Sequence, residues 1–381
     1  MGLSFEIKIL QPGGQGGFQR GFFGLTETTV SGWVRIRVKN GKRSVRGKLV
    51  VIKFVGYEYT DFVLIDPIGR YDIGCGSTRL FHKEERTIWA PKDATDLDAI
   101  ESFTELDLPF SFTVPPDVRH SSFKGPKGGV QYDLAVLIQH NVKTLFGSKD
   151  KVERKVIQVP LACYLPLVLS PAYRSPLIFF CTTNSSEAGQ HGFAYDITFP
   201  AKAYGPGDVV QAHIRLQRVQ GYKSTPKSLF LGIKRHDVCT DAGNARNYYK
   251  EFIARREVGG LRWQTDEIDP VGHLDLVTSL DVPLSRTANS DSNLKYISIK
   301  YELKMKIEVD GAPNVELEAP VTIVGVGVTE CKRAINILRA RPDVVLPGAV
   351  EPIAEVLNAR EGSDANDWDE FPPEYDDGVD P

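Results

Sequence analysis

Apolar and polar side chains alternate with a period of two through most of this chain, and helical periodicity of useful length is nearly absent before the last ~50 residues. A pleated strand sends successive side chains to opposite faces, so such a pattern can satisfy itself only in sheets that bury one face. Trp33-Val34-Arg35-Ile36-Arg37-Val38 and Leu49-Val50-Val51-Ile52-Lys53-Phe54 both alternate cleanly, with Asn40-Gly41 between them as a turn signal. They read as consecutive antiparallel strands joined by a polar loop. Further strands are predicted over Leu106 to Val114, Val130 to Val142 and Val152 to Leu161, separated by Pro115-Pro116 and by turn residues around Gly147. The fold class that follows is all-β.

The second half echoes the first. Ile36-Arg37-Val38, a basic loop and Ile52-Lys53-Phe54 have a counterpart in Ile214-Arg215-Leu216, another basic loop and Ile233-Lys234-Arg235. Tyr132-Asp133-Leu134-Ala135-Val136-Leu137-Ile138 is matched by Tyr301-Glu302-Leu303-Lys304-Met305-Lys306-Ile307, with the apolar members on one face in both. Two tandem sandwiches of one topology account for this. Their boundary is placed at Ser170-Pro171-Ala172-Tyr173-Arg174-Ser175-Pro176, a run that breaks strands and suits a hinge. The predicted organisation is a first sandwich over 1–168, a linker over 169–176, a second sandwich over 177–328 and an acidic, largely disordered tail over 329–381. Within that tail, Cys331 to Arg341 has helical spacing, with Ile335 and Leu338 on one side and Pro342 as its stop.

Charge sharpens the division. From Asp343 onward twelve acidic residues accompany one basic residue, Arg360, so this segment carries −11 and the rest +8 within a net charge of −3. A mildly basic body suits anionic lipid headgroups, acidic or phosphorylated peptides, or nucleic acid. The 41% hydrophobic composition is that of a globular chain, without an apolar run of membrane-spanning length. The N-terminus has no basic and apolar leader pattern, which reads as a cytosolic protein. Five scattered cysteines, Cys75, Cys163, Cys181, Cys239 and Cys331, form no Cys-x-x-Cys pair and read as reduced thiols.

The one short motif with a clear physical use is Pro372-Pro373-Glu374-Tyr375. Paired prolines favour an extended polyproline II backbone that a groove captures with little ordering entropy, and Tyr375 adds an amphipathic anchor. Catalytic constellations are not legible. Gly13-Gly14-Gln15-Gly16-Gly17 lacks the Gly-Lys-Ser/Thr of a phosphate loop, the seven histidines show no ligand spacing, and no Gly-x-Ser-x-Gly elbow occurs. Asn184-Ser185-Ser186 fits a glycosylation sequon that a cytosolic chain would not use. The expectation is a protein with no catalytic residues, no cofactor and no metal.

Several of these segments together resemble the arrestin family, specifically the α-arrestins, also called arrestin-domain-containing or arrestin-related trafficking adaptors. Gly32-Trp33-Val34, Val45-Arg46-Gly47-Lys48-Leu49 and Phe54-Val55-Gly56 resemble the family's early strands. Leu108-Pro109-Phe110-Ser111-Phe112-Thr113-Val114-Pro115, Ser121-Ser122-Phe123-Lys124-Gly125 and Val130-Gln131-Tyr132-Asp133-Leu134 resemble its most diagnostic stretch. Tyr204-Gly205-Pro206-Gly207-Asp208-Val209-Val210 is similar to the opening of the second domain, and Ala319-Pro320-Val321-Thr322-Ile323 to its final strand. The resemblance implies two arrestin-like, immunoglobulin-like β-sandwiches and an adaptor whose Pro-Pro-Glu-Tyr engages a WW-domain ubiquitin ligase of the HECT type. It further implies transmembrane transporters or receptors as cargo, endocytosis and sorting, and recruitment from the cytoplasm to plasma membrane and endosomes. One Pro-Pro-x-Tyr is present where many α-arrestins carry more, and Ser170-Pro171-Ala172-Tyr173 lacks the first proline. The motifs do not locate the buried charge cluster that holds visual arrestins inactive, so no activation switch follows.

Beside that motif stand the basic residues Lys42, Arg43, Arg46 and Lys48, candidate contacts for phosphorylated or acidic cargo tails or for anionic lipid headgroups, with nucleic acid set aside. The other reading of the same cluster is a solvated hairpin. The alternative function is an arrestin-fold coat or scaffold, like the arrestin-fold retromer subunit, or a pH-sensing signalling protein, in which the tail motif is incidental or non-degradative.

Overall fold

The computed structural model describes residues 5–11, 18–38, 44–65, 72–92, 99–118, 120–144, 147–265, 271–284 and 294–341. Among the described residues the first sandwich holds ten strands: β1 (Phe5–Leu10), β2 (Gln19–Arg20), β3 (Thr28–Val38), β4 (Val45–Ile65), β5 (Asp72–Trp89), β6 (Glu101–Phe103), β7 (Glu105–Val114), β8 (Phe123–Lys124), β9 (Gly128–Thr144) and β10 (Gly147–Gln158). One sheet runs β1-β3-β2 with β7 on β3, and the facing sheet runs β10-β9-β4-β5 with β6 on β4 and β8 on β9. Val34, Ile36, Phe110 and Phe112 of the first sheet bury themselves against Val50, Ile52, Phe54 and Leu134 of the second. Phe54 lies at the centre, stacked on Phe112 at 5.7 Å and on Tyr132 at 5.8 Å. The buried Tyr132 donates its hydroxyl proton to the His120 carbonyl at 2.7 Å, which satisfies the only polar atom of its side chain.

The expected β3–β4 hairpin does not form. Each of these strands already has neighbours on both edges, β3 between β1 and β7 and β4 between β5 and β9, and they belong to opposite sheets. A tight Asn-Gly hairpin keeps a chain in one sheet, whereas a sandwich needs the chain to cross between layers here. β9 and β10, in contrast, do pair as an antiparallel hairpin with Gly147 opposite Thr144.

A 3-10 turn over Pro166–Leu169 and the one-turn helix α1 (Pro171–Arg174) lead into the second sandwich. Its strands are β11 (Leu177–Cys181), β12 (Phe193–Phe199), β13 (Ala203–Tyr204), β14 (Val209–Arg218), β15 (Thr225–Thr240), β16 (Arg246–Gly259), β17 (His273–Asp281), β18 (Ile297–Asp310) and β19 (Val315–Ile323). The short helix α2 (Ser186–His191) joins β11 to β12, and the Ser185 hydroxyl caps it by accepting from Ala188 N at 3.0 Å. The sheets run β11-β12-β14-β17 and β13-β19-β18-β15-β16. The repeat read from sequence is thus a repeat of position: β3 answers to β14, β4 to β15 and β9 to β18. Tyr132 and Tyr301 are both fully buried at the same place in the two strands. The cross-strand ion pair Arg37–Glu105 on the outer face of the first sandwich has its counterpart in Arg215–Asp275 on the second.

The segment between the sandwiches and the start of the tail differ from expectation. Helix α3 spans Val328–Arg339 and buries Val328, Cys331, Ala334, Ile335 and Leu338 against Leu25 of the first sandwich, Val168 of the connection, and Ala203 and Val324 of the second. Residues 329–341 therefore belong to the folded body, because their apolar stripe finds a surface assembled from both sandwiches. Residues 166–174 pack beneath the same helix instead of forming an open hinge; Ser170 is buried and Tyr173 packs against the cluster. Helical backbone at Pro171–Arg174 also removes the extended shape that a Pro-rich ligand needs. The helix start is fixed by Asp208, whose carboxylate accepts from Val328 N at 2.9 Å and from Gly205 N at 2.7 Å. The Ile335→Ala variant is expected to lose about 2–5 kcal/mol of stability by leaving a cavity where three parts of the chain meet, a change read as a lowered urea midpoint.

Candidate functional site

Period two places Leu229, Leu231, Ile233, Arg235, Asp237 and Cys239 of β15 on one face, and the first three lie in the core of the second sandwich. At Arg235 the repeat breaks: Tyr132 lies opposite Gly56 and Tyr301 opposite Arg235, so the equivalent residue of β4 is Gly56. The same phase in β4 carries Val50, Ile52, Phe54 and then Glu58, which is also completely buried. Three ionisable side chains thus occupy inward positions, and all three lie where the sandwiches meet.

Glu58 of the first sandwich accepts from Lys295 N at 2.9 Å and Tyr296 N at 3.0 Å, the two residues that lead into β18 of the second. Arg235 and Asp237 form a fork: Nε lies 2.6 Å from Oδ1 and Nη2 lies 2.6 Å from Oδ2. Burial works against both charges and pushes the Asp237 carboxyl up; at Arg235 burial is also the largest single influence, but the hydrogen bond to Asp237 together with electrostatic attraction from Tyr301, Asp237 and Glu251 overcomes it and raises the guanidinium. The first sandwich roofs this pair. Phe123 places its ring 5.8 Å from the guanidinium carbon, and Gly125 comes so close that a Cβ there would stand 3.0 Å from Arg235 Nη2.

Neighbouring serines complete the seam. Ser121 Oγ accepts from Cys163 N at 2.9 Å, and Ser122 Oγ accepts from Leu161 N at 2.8 Å. Gly325, just past β19, approaches so closely that a Cβ would fall 2.0 Å from Ser121 Oγ. The Ser121-to-Gly125 stretch, singled out as a motif, is therefore a piece that locks one sandwich to the other, whereas Asp208 ties the start of α3 to the second sandwich. Glu58, Arg235 and Asp237 were missed in the sequence reading. The signal was present: each is a charge in the inward phase of a strand whose other inward residues are apolar.

The proposed contact residues scatter. Lys42, Arg43, Pro372, Pro373, Glu374 and Tyr375 lie outside the described residues, as does the Gly13–Gly17 loop. Arg46 is exposed on β4. Lys48 is not offered to solvent: its ammonium bonds Asp150 at 2.8 Å and its side chain is only 13% exposed. That bond, with others from Asn141 at 3.3 Å and Gln139 at 3.4 Å, holds the Asp150 carboxyl below the usual carboxylate range. All five cysteines are buried and unpaired with one another, and burial pushes the Cys239 and Cys331 thiols up to about 11. Among the described residues no group of three or more His, Cys, Asp or Glu is placed to hold a metal ion, and no helix is long and apolar enough to cross a membrane.

Residues 190–328 match the family model of the arrestin (or S-antigen) C-terminal domain. The match supports an arrestin-family protein. It runs from the end of α2 to the first residue of α3, so it takes in β12 to β19 together with Arg235, Asp237 and Asp208. The described sandwiches have an arrestin-like fold, and the family suggests an adaptor or scaffold role in general. No curated protein matches the chain.

Removing one partner of the arginine–aspartate fork is expected to be costly and replacing both to be mild. Asp237→Ala should lose about 3–5 kcal/mol in urea unfolding by stranding a buried guanidinium, whereas the double change Arg235→Met with Asp237→Leu should come within ~1 kcal/mol of the parent or exceed it. Asp150 gives a second expectation. Its folded pKa is depressed, so its contribution is present above the unfolded value of about 3.9 and is lost as pH falls through the lower folded value. In Lys48→Met the carboxyl carbon resonance of Asp150 should titrate at higher pH than in the parent.

Proposed function

We propose that this chain is an adaptor of the α-arrestin type. The two sandwiches engage the cytoplasmic parts of a transmembrane transporter or receptor, and Pro372-Pro373-Glu374-Tyr375 recruits a WW-domain HECT-type ubiquitin ligase that modifies that cargo and commits it to endocytosis and sorting. The observation that carries this reading is a pairing: a body with an arrestin C-terminal domain match, followed by an acidic segment holding a Pro-Pro-x-Tyr.

WW grooves clasp prolines between aromatic rings and seat the tyrosine beside a basic edge, so Asp369, Glu370, Asp376 and Asp377 add long-range attraction around Tyr375. Tethering then raises the effective concentration of ligase at lysines it would otherwise meet rarely. Exposed Arg46, with Lys42 and Arg43, is the proposed contact for acidic or phosphorylated cargo tails or anionic headgroups; Lys48 serves the fold through Asp150. The working location under this reading is the cytoplasmic face of the plasma membrane and endosomes.

Tyr375→Ala should weaken binding of the intact chain to an isolated WW domain about 30-fold, the equivalent of ~2 kcal/mol for loss of a hot-spot aromatic. Calorimetric titration of parent and variant reads this directly. Equal affinities would leave the motif incidental and shift the reading toward a coat or scaffold.

A further inference from the structure

Imidazole is the side chain that ordinarily gains its charge near neutral pH, and once protonated both of its nitrogens carry hydrogens. A buried ring nitrogen without an acceptor therefore tolerates the neutral ring, whose tautomer can leave it bare, and resists the imidazolium. Two histidines of the first sandwich are placed this way. Nε2 of His82 and Nδ1 of His120 are shut off from solvent, and neither has a hydrogen-bond partner. His82, on β5 opposite Gly56 of β4, sets its ring edge-on to Phe54 at 5.3 Å. His120, in the connection between β7 and β8, packs edge-on against Phe81 of β5 at 4.8 Å, and Phe81 packs in turn on Tyr132 at 5.6 Å. Next along the chain come Ser121 to Gly125, the stretch that meets Gly325 and Arg235 of the second sandwich.

We propose that His82 and His120 form an acid-sensitive latch on the seam: as neutral rings they keep the Ser121-to-Gly125 stretch seated, and their protonation frees it and loosens one sandwich from the other. The charges around them do not reverse this preference. Burial holds the His82 ring below its ordinary pKa against the pull of Glu84 on β5 and of Asp117 in the connection before His120, and Glu84 is itself engaged by Arg86, whose Nε donates to it at 2.7 Å. At His120 burial lowers the pKa and the Arg79 cation of β5 pushes the same way. From β4 and β9 the neighbours of the two rings and of Phe81 are Phe54, Gly56 and Tyr132, which bring no charge. The sign follows from the two lowered values. The latch is fully set above the unfolded histidine value of about 6.5 and weakens as pH falls below it, because a form that exposes both rings binds more protons. At about pH 5.5 that preference reaches at most ~10-fold per histidine and ~100-fold for the pair.

Hydrogen exchange of the intact chain at about pH 7.5 and about pH 5.5, read by mass spectrometry as protection relative to the chemical rate at each pH, tests the latch. Peptides spanning His82 and spanning Ser121 to Gly125 are expected to lose at least ~10-fold of their protection at the lower pH, while β14 and β17 of the second sandwich keep theirs. The double change His82→Leu with His120→Leu should leave protection equal at both pH values. His82→Gln and His120→Gln, made singly and milder for the fold, should each remove about half of the response on a logarithmic scale. Unchanged protection in the parent overturns the inference, and so does a response that neither single variant reduces. The Asp237 carboxyl, raised by burial, is the competing acid-sensitive group at the seam. A loss of parental size in the double variant assigns the response to that carboxyl and likewise overturns the histidine latch.

Discussion

The structure rests on the phase of two long strands, β4 and β15. Each is central in its sheet and each aims every second side chain at the sheet opposite, so a slip of one residue in either would turn its whole apolar set into solvent. Phe54 pins the first by stacking between Phe112 and Tyr132. In the second the anchor is shared: Leu229, Leu231 and Ile233 hold one end in the core, and the Arg235–Asp237 fork holds the other against the neighbouring sandwich. Core and junction are consecutive stretches of the same strands, which is why charged residues can stand in an inward phase without unpaired burial.

The sequence made the strands legible because alternation is a local property that survives without knowledge of partners. It also made the duplication legible, since β3 and β14, β4 and β15, and β9 and β18 kept their inward residues. Partner choice was another matter. Asn40-Gly41 signals a tight hairpin by local turn chemistry, but which strand lies beside β3 is decided by layers that form from distant segments. Residues 328–339 were misplaced for the same reason. Their composition is marginal for a helix standing alone, and the stripe Val328, Cys331, Ala334, Ile335, Leu338 becomes decisive only once Leu25, Val168 and Val324 have been gathered into one surface.

The candidate site was legible unevenly. Motif residues such as Ser121 and Gly125 are short-range spacers whose patterns are recognisable, while their purpose, holding two sandwiches in contact through Gly325 and Arg235, depends on what lies across the seam. Lys48 shows the reverse. It reads as an exposed cation in a basic loop, and only the pairing of β9 with β10 brings Asp150 to it. Charge patterns in strands thus identify candidates, and cross-strand register decides which of them face water.

The exchange of Gly56 for Arg235 at equivalent positions has a consequence for the chain as a tandem array. Two copies of an identical module can be swapped, multiplied or separated without penalty, but these two are no longer alike where they touch. The first supplies a roof of Phe123 and Gly125, and the second supplies the charge to be roofed. A gene carrying the second module alone, or the pair in reverse order, would leave that arginine without its cover. The order of the two halves is therefore fixed by chemistry at their boundary, and duplication has here given rise to a unit that no longer divides.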